Sequence, residues 1–310
     1  MILHVIGALS RRLFLKTSGA ILTGLLLLSV PVGANETTSV KATPALWVVE
    51  KGDAKTYLMG SFHLLPKNYD WYHGPVRTSF EAADEMVMET VLDQAGMAAV
   101  QAIVMRNSSF TDADTLKNHL DDAHYQKMLG FSKAMMGLDE ATAQKMKPWF
   151  MAINLSVLSI MSSGMDPNSG VDKILEARAR SRQIAVTGLE TPTEQMSALI
   201  HHPLPVQTAM LTDTLDKLDD FKSYIDLYLS AWASGDNDKI AEAMVEDMEK
   251  YEAMYQALLV QRNENWMPGI EGYLGNGKTS FIVVGAAHLV GKDGIVKMLR
   301  DKGYNVIKLQ

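Results

Sequence analysis

Runs with the composition of β-strands occur at six places in this chain, and all but one lie in its first and last thirds. Residues 45–50 (ALWVVE) and 56–60 (TYLMG) flank Lys51-Gly52-Asp53-Ala54-Lys55, which reads as a hairpin with a Gly-Asp turn. Further strands are expected at 85–89 (EMVME), 184–189 (IAVTGL), 279–284 (TSFIVV) and 304–309 (YNVIKL). Residues 94–163 and 206–261 instead carry apolar residues at three- and four-residue spacing, which predicts helices. The sequence 234–237 (SGDN) divides the second stretch into a helical hairpin. Shorter helices are expected at 75–83, 171–182 and 291–302. An α/β fold follows: a central mixed sheet drawn from the chain ends, flanked by helices, with helical insertions.

The front of the chain reads as an address. Arg11-Arg12, preceded by Ser10 and followed by Phe14, Leu15 and Lys16, lead into an apolar run, residues 20–30, that is short for a bilayer span. This matches the twin-arginine export pattern. Val32 and Ala34 supply small residues for cleavage after Ala34, with Ala42 as the alternative. We therefore expect a twin-arginine-type signal over residues 1–34, a linker over 35–44, and one domain over 45–310. The expected mature protein is periplasmic and soluble, has no membrane anchor, and is delivered by the twin-arginine export machinery. That route carries folded proteins, which favours a bound cofactor.

Charge and cysteine content narrow the chemistry. The chain has 29 Lys and Arg against 36 Asp and Glu, a formal net charge of −7. Loss of residues 1–34 would remove three bases and no acid, moving the net from −7 to −10. Such a balance argues against nucleic acid as a partner. With no cysteine, disulfides, thiolate nucleophiles and iron–sulfur clusters are excluded. Any metal must sit on imidazole, carboxylate or carbonyl groups. The 20 methionines read as core filler on helices.

Two apolar runs end in the same spacing, Gly60-x-x-His63 and Gly285-x-x-His288. With 22 Gly and 8 His in 310 residues, chance supplies about 0.6 such spacings. In both, the imidazole falls just past the carboxyl end of a strand, where open α/β sheets gather ligands. The glycine would permit a tight turn that aims the ring over the sheet. Two further runs end in Glu-Thr, at Glu89 and Glu190. A carboxylate after an apolar run either faces solvent or meets a cation. If the four strand ends converge, two imidazoles and two carboxylates make the inventory of a divalent metal site with one residue left as a base. Manganese, cobalt, zinc and iron all suit such ligands.

The paired Gly-x-x-His motifs resemble those of the TraB/GumN family, which is related to the Tiki-type metalloproteases. So do Gly170-Val171-Asp172, the GLET segment at 188–191 with Gln195 after it, Arg262-Asn263 and the closing residues 283–309. The resemblance spans roughly residues 45–309. It implies a sheet made of two similar halves, with the histidines, a strand-end Glu and the Arg-Asn pair grouped at one site. It carries over to His63, Glu89, Arg262, Asn263 and His288, with Glu190 and Asp172 as weaker matches. The Tiki branch implies metal-dependent cleavage of peptide bonds.

On this reading His63, Glu89 and His288 hold the metal and Glu190 takes a proton from the bound water. Arg262, with Asn263 beside it, steadies an oxyanion or grips a substrate carboxylate. The expected function is a periplasmic metal-dependent hydrolase acting on peptides or proteins. The alternative is a non-catalytic protein sequestering a peptide or small ligand in the same cleft. Arg262 also has a structural reading, as a cation at the end of a long helix, and Asp172 one as a helix-start acid. His73, His119 and His124 read as surface residues, and His201-His202 as a loop. Substrate selectivity is assigned to the insertion at 94–163.

Overall fold

A computed structural model describes residues 39–310 apart from residue 53; the expected signal at 1–34 lies outside the described residues. Each of the six expected runs forms a strand: β2 (Leu46–Lys51), β3 (Ala54–Ser61), β5 (Glu85–Met88), β6 (Ala185–Gly188), β7 (Thr279–Gly285) and β8 (Val306–Lys308). Two-residue strands β1 (Val40–Lys41) and β4 (Tyr69–Asp70) pair with each other, and Ala42 is fully buried, so the end of the expected linker is fastened to the body. The helices are, in chain order, α1 (Gly74–Glu81), α2 (Gln94–Asn107), α3 (Asp122–Met136), α4 (Pro148–Ser162), α5 (Val171–Ser181), α6 (Pro192–Ile200), α7 (Leu204–Lys217), α8 (Phe221–Ala233), α9 (Gln261–Leu274) and α10 (Ile295–Asp301), with shorter helical turns between them.

The six-stranded sheet has the order β6-β5-β7-β3-β2-β8. Its first four strands are parallel, and β2 joins β3 through the expected hairpin, closed at Lys51↔Ala54 with Gly52 at φ +61°. Alternation along β7 shows why both faces are covered. Phe281 and Val283 pack with Phe80, Leu175 and Trp232 of α1, α5 and α8. Ile282 and Val284 pack with Trp266, Ile270 and Leu299 of α9 and α10. Each such side chain contributes about 1.5–3 kcal/mol by burial, so the sheet is the stable platform of the molecule. The strands β3 and β7 lie side by side in parallel, which brings the two Gly-x-x-His segments to one edge of the sheet.

The insertion has apolar cores of its own. One joins α3, α4 and α7 through Tyr125, Met128, Met151, Leu155 and Leu211. The other joins α2, α4 and α6 through Val104, Trp149, Val157 and Met196. Eight of the 20 methionines pack in or against these two cores, the filler role expected of them. Helix α10 begins four residues later than expected, because Gly291 at φ +78° sets a turn that a helix cannot continue. The helical stretch expected to end at residue 261 runs on to Leu274, and it contains wide π-helical turns at Ala241–Glu246 and Gln256–Val260. No described helix is long and apolar enough to cross a membrane.

His124 is more than a surface residue. Its Nδ1 lies 2.6 Å from Asp121 at the start of α3 and its Nε2 3.0 Å from Asp216 near the end of α7. Hydrogen bonds to Asp121, then to Asp216, raise its pKa above the ordinary imidazole value. A raised folded-state pKa gives stability that is complete below the unfolded value of 6.5 and is lost as pH rises through the folded value. The thermal midpoint of the wild type is therefore expected to fall between pH 6.5 and 8.5 more than that of His124→Gln, measured by circular dichroism. Parallel curves for the two proteins would refute the clamp.

Candidate active site

The chain positions seven polar side chains at the carboxyl ends of the strands. Glu89 follows β5, Glu190 follows β6, His63 follows β3, and His288 stands on a short helical turn, Ala286–Leu289, after β7. Asp172 lies in the first turn of α5, and Arg262 and Asn263 in the first turn of α9. The structural reading of Arg262 as a cation at a helix end does not hold, since α9 continues for three turns beyond it.

Arg262 is the hub. A guanidinium carries five N–H donors, and all five are engaged. Nε donates to Glu190 Oε2 at 3.1 Å, and Nη2 donates to Glu190 Oε1 at 2.7 Å and to Glu89 Oε2 at 2.8 Å. Nη1 donates to the Leu258 carbonyl and to His288 Nε2, each at 3.0 Å. Trp266, one helical turn after Arg262, donates from Nε1 to Glu190 Oε2 at 3.1 Å and lies under the guanidinium at 4.7 Å. It was not singled out from sequence; its i, i+4 spacing from Arg262 was the available signal.

His288 is set by the same contacts. Arginine only donates, so Nε2 must accept and the proton rests on Nδ1, which donates to Asn263 Oδ1 at 2.7 Å. Asn263, fully buried, is fixed by its amide donating to the His288 and Asp293 carbonyls. Burial, then the neighbouring Arg262, lowers the His288 pKa to about 3, so the ring stays neutral. Glu89 accepts from the Gly285 amide at 2.7 Å, from Gln195 at 2.8 Å and from Arg262. Burial opposes its charge, but Arg262 first, and then other neighbours including the Gly285 amide, hold it well below the ordinary carboxylate value. Burial pushes Glu190 upward despite its two bonds to Arg262.

His63 stands apart from this network. Its side chain keeps 37% of its exposure, and Nδ1 lies 3.1 Å from Asp172 Oδ1. Asp172 is buried, which opposes its charge, but His63 beside it together with its other neighbours holds its pKa low. The two Gly-x-x-His motifs thus place their rings differently, one locked beneath Arg262 and one beside an acid at a cavity. Their glycines provide room: neither has positive φ. A Cβ on Gly60 would come within 2.9 Å of Ala286 Cα, and one on Gly285 within 3.1 Å of Glu89 Oε1.

Gly170 has the same office for His63, since a Cβ there would sit 2.2 Å from the His63 carbonyl oxygen. Gly170→Ala is expected to cost about 1–3 kcal/mol through the forced shift, read as a lower urea midpoint. An unchanged midpoint would show that the His63 loop yields freely.

The cavity holds about 320 Å³. Ser61, His63, Glu89, Thr90, Asp172, Gln195 and Arg262 form its polar end, and α4, α6 and α7 supply its apolar walls. Glu190, Asn263 and His288 do not line it. The expected roles change accordingly. Glu190 has both oxygens engaged and does not face the cavity, so it is poorly placed as a base. Arg262 has no N–H left for an oxyanion, and Asn263 positions His288. His63, Glu89 and His288 do not form a ligand set as they stand, because the one lone pair of His288 accepts from Arg262. Among the described residues no three His, Asp or Glu side chains group closely enough to hold an ion.

The sequence model of the TraB/PrgY/gumN family matches residues 45–308 of this chain. The chain belongs to the TraB/PrgY/gumN family. No curated protein and no solved structure matches it. Every residue of the hub and of the cavity lies inside the part matched to the TraB/PrgY/gumN family, so this site sits within the family domain. Ser61 and Thr90, next to motif residues but not singled out from sequence, are part of the same TraB/PrgY/gumN segment.

Proposed function

We propose that the chain is an exported, periplasmic hydrolase acting on peptide or protein substrates, with the cavity at the carboxyl ends of β3 and β5 as its active site. The observation that carries this reading is the His63–Asp172 pair at a cavity mouth. His63 Nδ1 and Asp172 Oδ1 lie 3.1 Å apart without the alignment of a hydrogen bond; an ionised Asp172 can only accept, so its place beside the ring favours the proton on His63 Nδ1 and leaves Nε2 with a lone pair. An imidazole oriented in this way by a buried carboxylate is a general base. His63 takes a proton from water as the water oxygen bonds to the substrate carbonyl carbon. The carbon–nitrogen bond then breaks and His63 returns the proton to the leaving amine. Arg262, Glu89, Glu190 and His288 form the rigid wall behind this chemistry.

The divalent ion expected from the two imidazoles and two carboxylates, whether manganese, cobalt, zinc or iron, does not fit His63, Glu89 and His288 as they stand, because the lone pair of His288 Nε2 accepts from Arg262. No step above depends on it. The test is elemental analysis of protein purified without chelator, beside release of new amino termini from a peptide mixture, for wild type and for His63→Ala and His288→Ala. Cleavage lost in His63→Ala, without a stoichiometric ion in the wild type, is the expected result. One ion per chain, lost in both variants, would restore the original ligand set. Binding of peptides without any cleavage would favour the sequestering role.

A further inference from the structure

The cavity has two unlike ends. Its polar end comes from strand termini and the helix residues Asp172, Gln195 and Arg262, whereas Ile153, Val157 and Ile160 of α4, Leu199 of α6 and Met210 of α7 line the rest with aliphatic and thioether surface, broken on α4 by Ser156. The three apolar α4 residues recur at i, i+4 and i+7, one face of a helix, so they share one wall. At the polar end the donors of Arg262 are all engaged, but the hydroxyls of Ser61 and Thr90 are not. Both residues are more than nine-tenths buried, line the cavity and have no hydrogen-bond partner among the described residues. A buried hydroxyl without a partner is costly, and a ligand carbonyl would relieve that cost. Ser61 stands opposite Gly285 on one side of β7. Thr90 follows β5 on the other side, so the backbones of the two residues sit about 10 Å apart at the ordinary strand spacing and their hydroxyls would meet separate carbonyls. The charged groups around them also select. Of the side chains that line the cavity, the carboxylates Glu89 and Asp172 outnumber the guanidinium of Arg262, which disfavours an acidic ligand.

We infer that the cavity recognises a peptide segment bearing an uncharged aliphatic side chain, which α4, α6 and α7 enclose, while Ser61 and Thr90 donate to backbone carbonyls on either side. This rests on the hydrolase reading for the substrate class, but binding and cleavage can be measured apart. At about 320 Å³ the space is at the small end for ligand pockets and suits one such side chain with its flanking peptide groups.

The test is calorimetric titration of the full chain with N-acetyl-leucyl-leucinamide and N-acetyl-aspartyl-aspartamide. The leucine peptide is expected to bind at least tenfold more tightly. Ser61→Ala and Thr90→Val should each weaken it about three- to tenfold, the range of one hydrogen bond. Leu199→Asp, at a half-buried position checked for folding by circular dichroism, should abolish it; Met210→Asp is the second variant should the first not fold. Equal binding of both peptides, no binding of either, or leucine binding unaffected by the four substitutions would overturn the inference. Selective binding without cleavage would sustain it and defeat the hydrolase reading. Cleavage restricted to acidic peptides would do the reverse.

Discussion

Arg262→Met is expected to destabilise the protein by about 3–5 kcal/mol, the range for removing one partner of a buried ion pair. The substitution keeps much of the apolar stem but leaves Glu89 and Glu190 facing each other with no cation between them. It also releases His288 Nε2 and the Leu258 carbonyl. The loss relative to the wild type should be larger at pH 8 than at pH 5, which separates this cause from simple loss of packing. In the wild type the Glu89 pKa is lowered, so its contribution is present above the unfolded value of 4.5 and is lost as pH falls through the folded value. Without Arg262, burial raises the folded-state pKa of both carboxylates. Stability is then present below the unfolded value and is lost as pH rises through the raised one. Urea midpoints at pH 5 and pH 8 read this directly: the variant should fall further below the wild type at pH 8. Arg262→Lys should fall between the two, because an ammonium cannot form the fork to Glu190. A variant that loses stability equally at both pH values would show that the hub is held by packing instead.

His63→Ala should have a different profile, a large loss of activity with a smaller loss of stability than Arg262→Met. Removing a general base costs typically 10²–10⁴-fold in rate. The His63 side chain is more than a third exposed, and its one close polar contact is Asp172. The thermal midpoint is therefore expected to fall less than that of Arg262→Met, by the cost of leaving the buried Asp172 without its neighbour, while peptide cleavage falls by the full factor. Asp172→Asn gives a further readout. An amide can turn its donor toward His63 and favour the wrong tautomer, so the lower limb of the pH–rate profile should move as well as the rate itself. A variant at position 63 that cleaves at the wild-type rate would remove His63 from the chemistry.

The strands were legible in the sequence because apolar β-prone runs of five or six residues are bounded by Gly and Asp turns, and residues such as Phe281 to Val284 are buried on both faces. The site was legible as a set of residues, since Glu89, Glu190, Arg262, Asn263 and His288 do converge. Their individual roles were not. Whether a guanidinium has a donor left depends on the count of acceptors around it, and the acceptors come from β5, β6, the turn after β7 and the carbonyl of Leu258. No spacing in the sequence records that. The helix carrying Arg262 was also placed too short, because Pro268 and Gly269 lower helix propensity while the burial of Trp266, Ile270 and Leu274 against the sheet overrides it. The outlying pair of unengaged hydroxyls, Ser61 and Thr90, could be found only once burial was known.

The wide turn at Gln256–Val260 has a further consequence for the whole face of α9. Each residue of an α-helix advances the side-chain direction by about 100°. A π-helical turn contains more residues than an α-helical one for the same reversal of direction. Deleting a single residue from 256–260 would return the segment to ordinary winding and rotate everything after it by about 100°. Arg262 and Trp266 would leave the carboxylates together, and the apolar stripe of Ile270 and Leu274 would leave the sheet with them. The turn therefore sets the phase of the helix, and the length of this one segment is a stricter requirement than the identity of any residue within it.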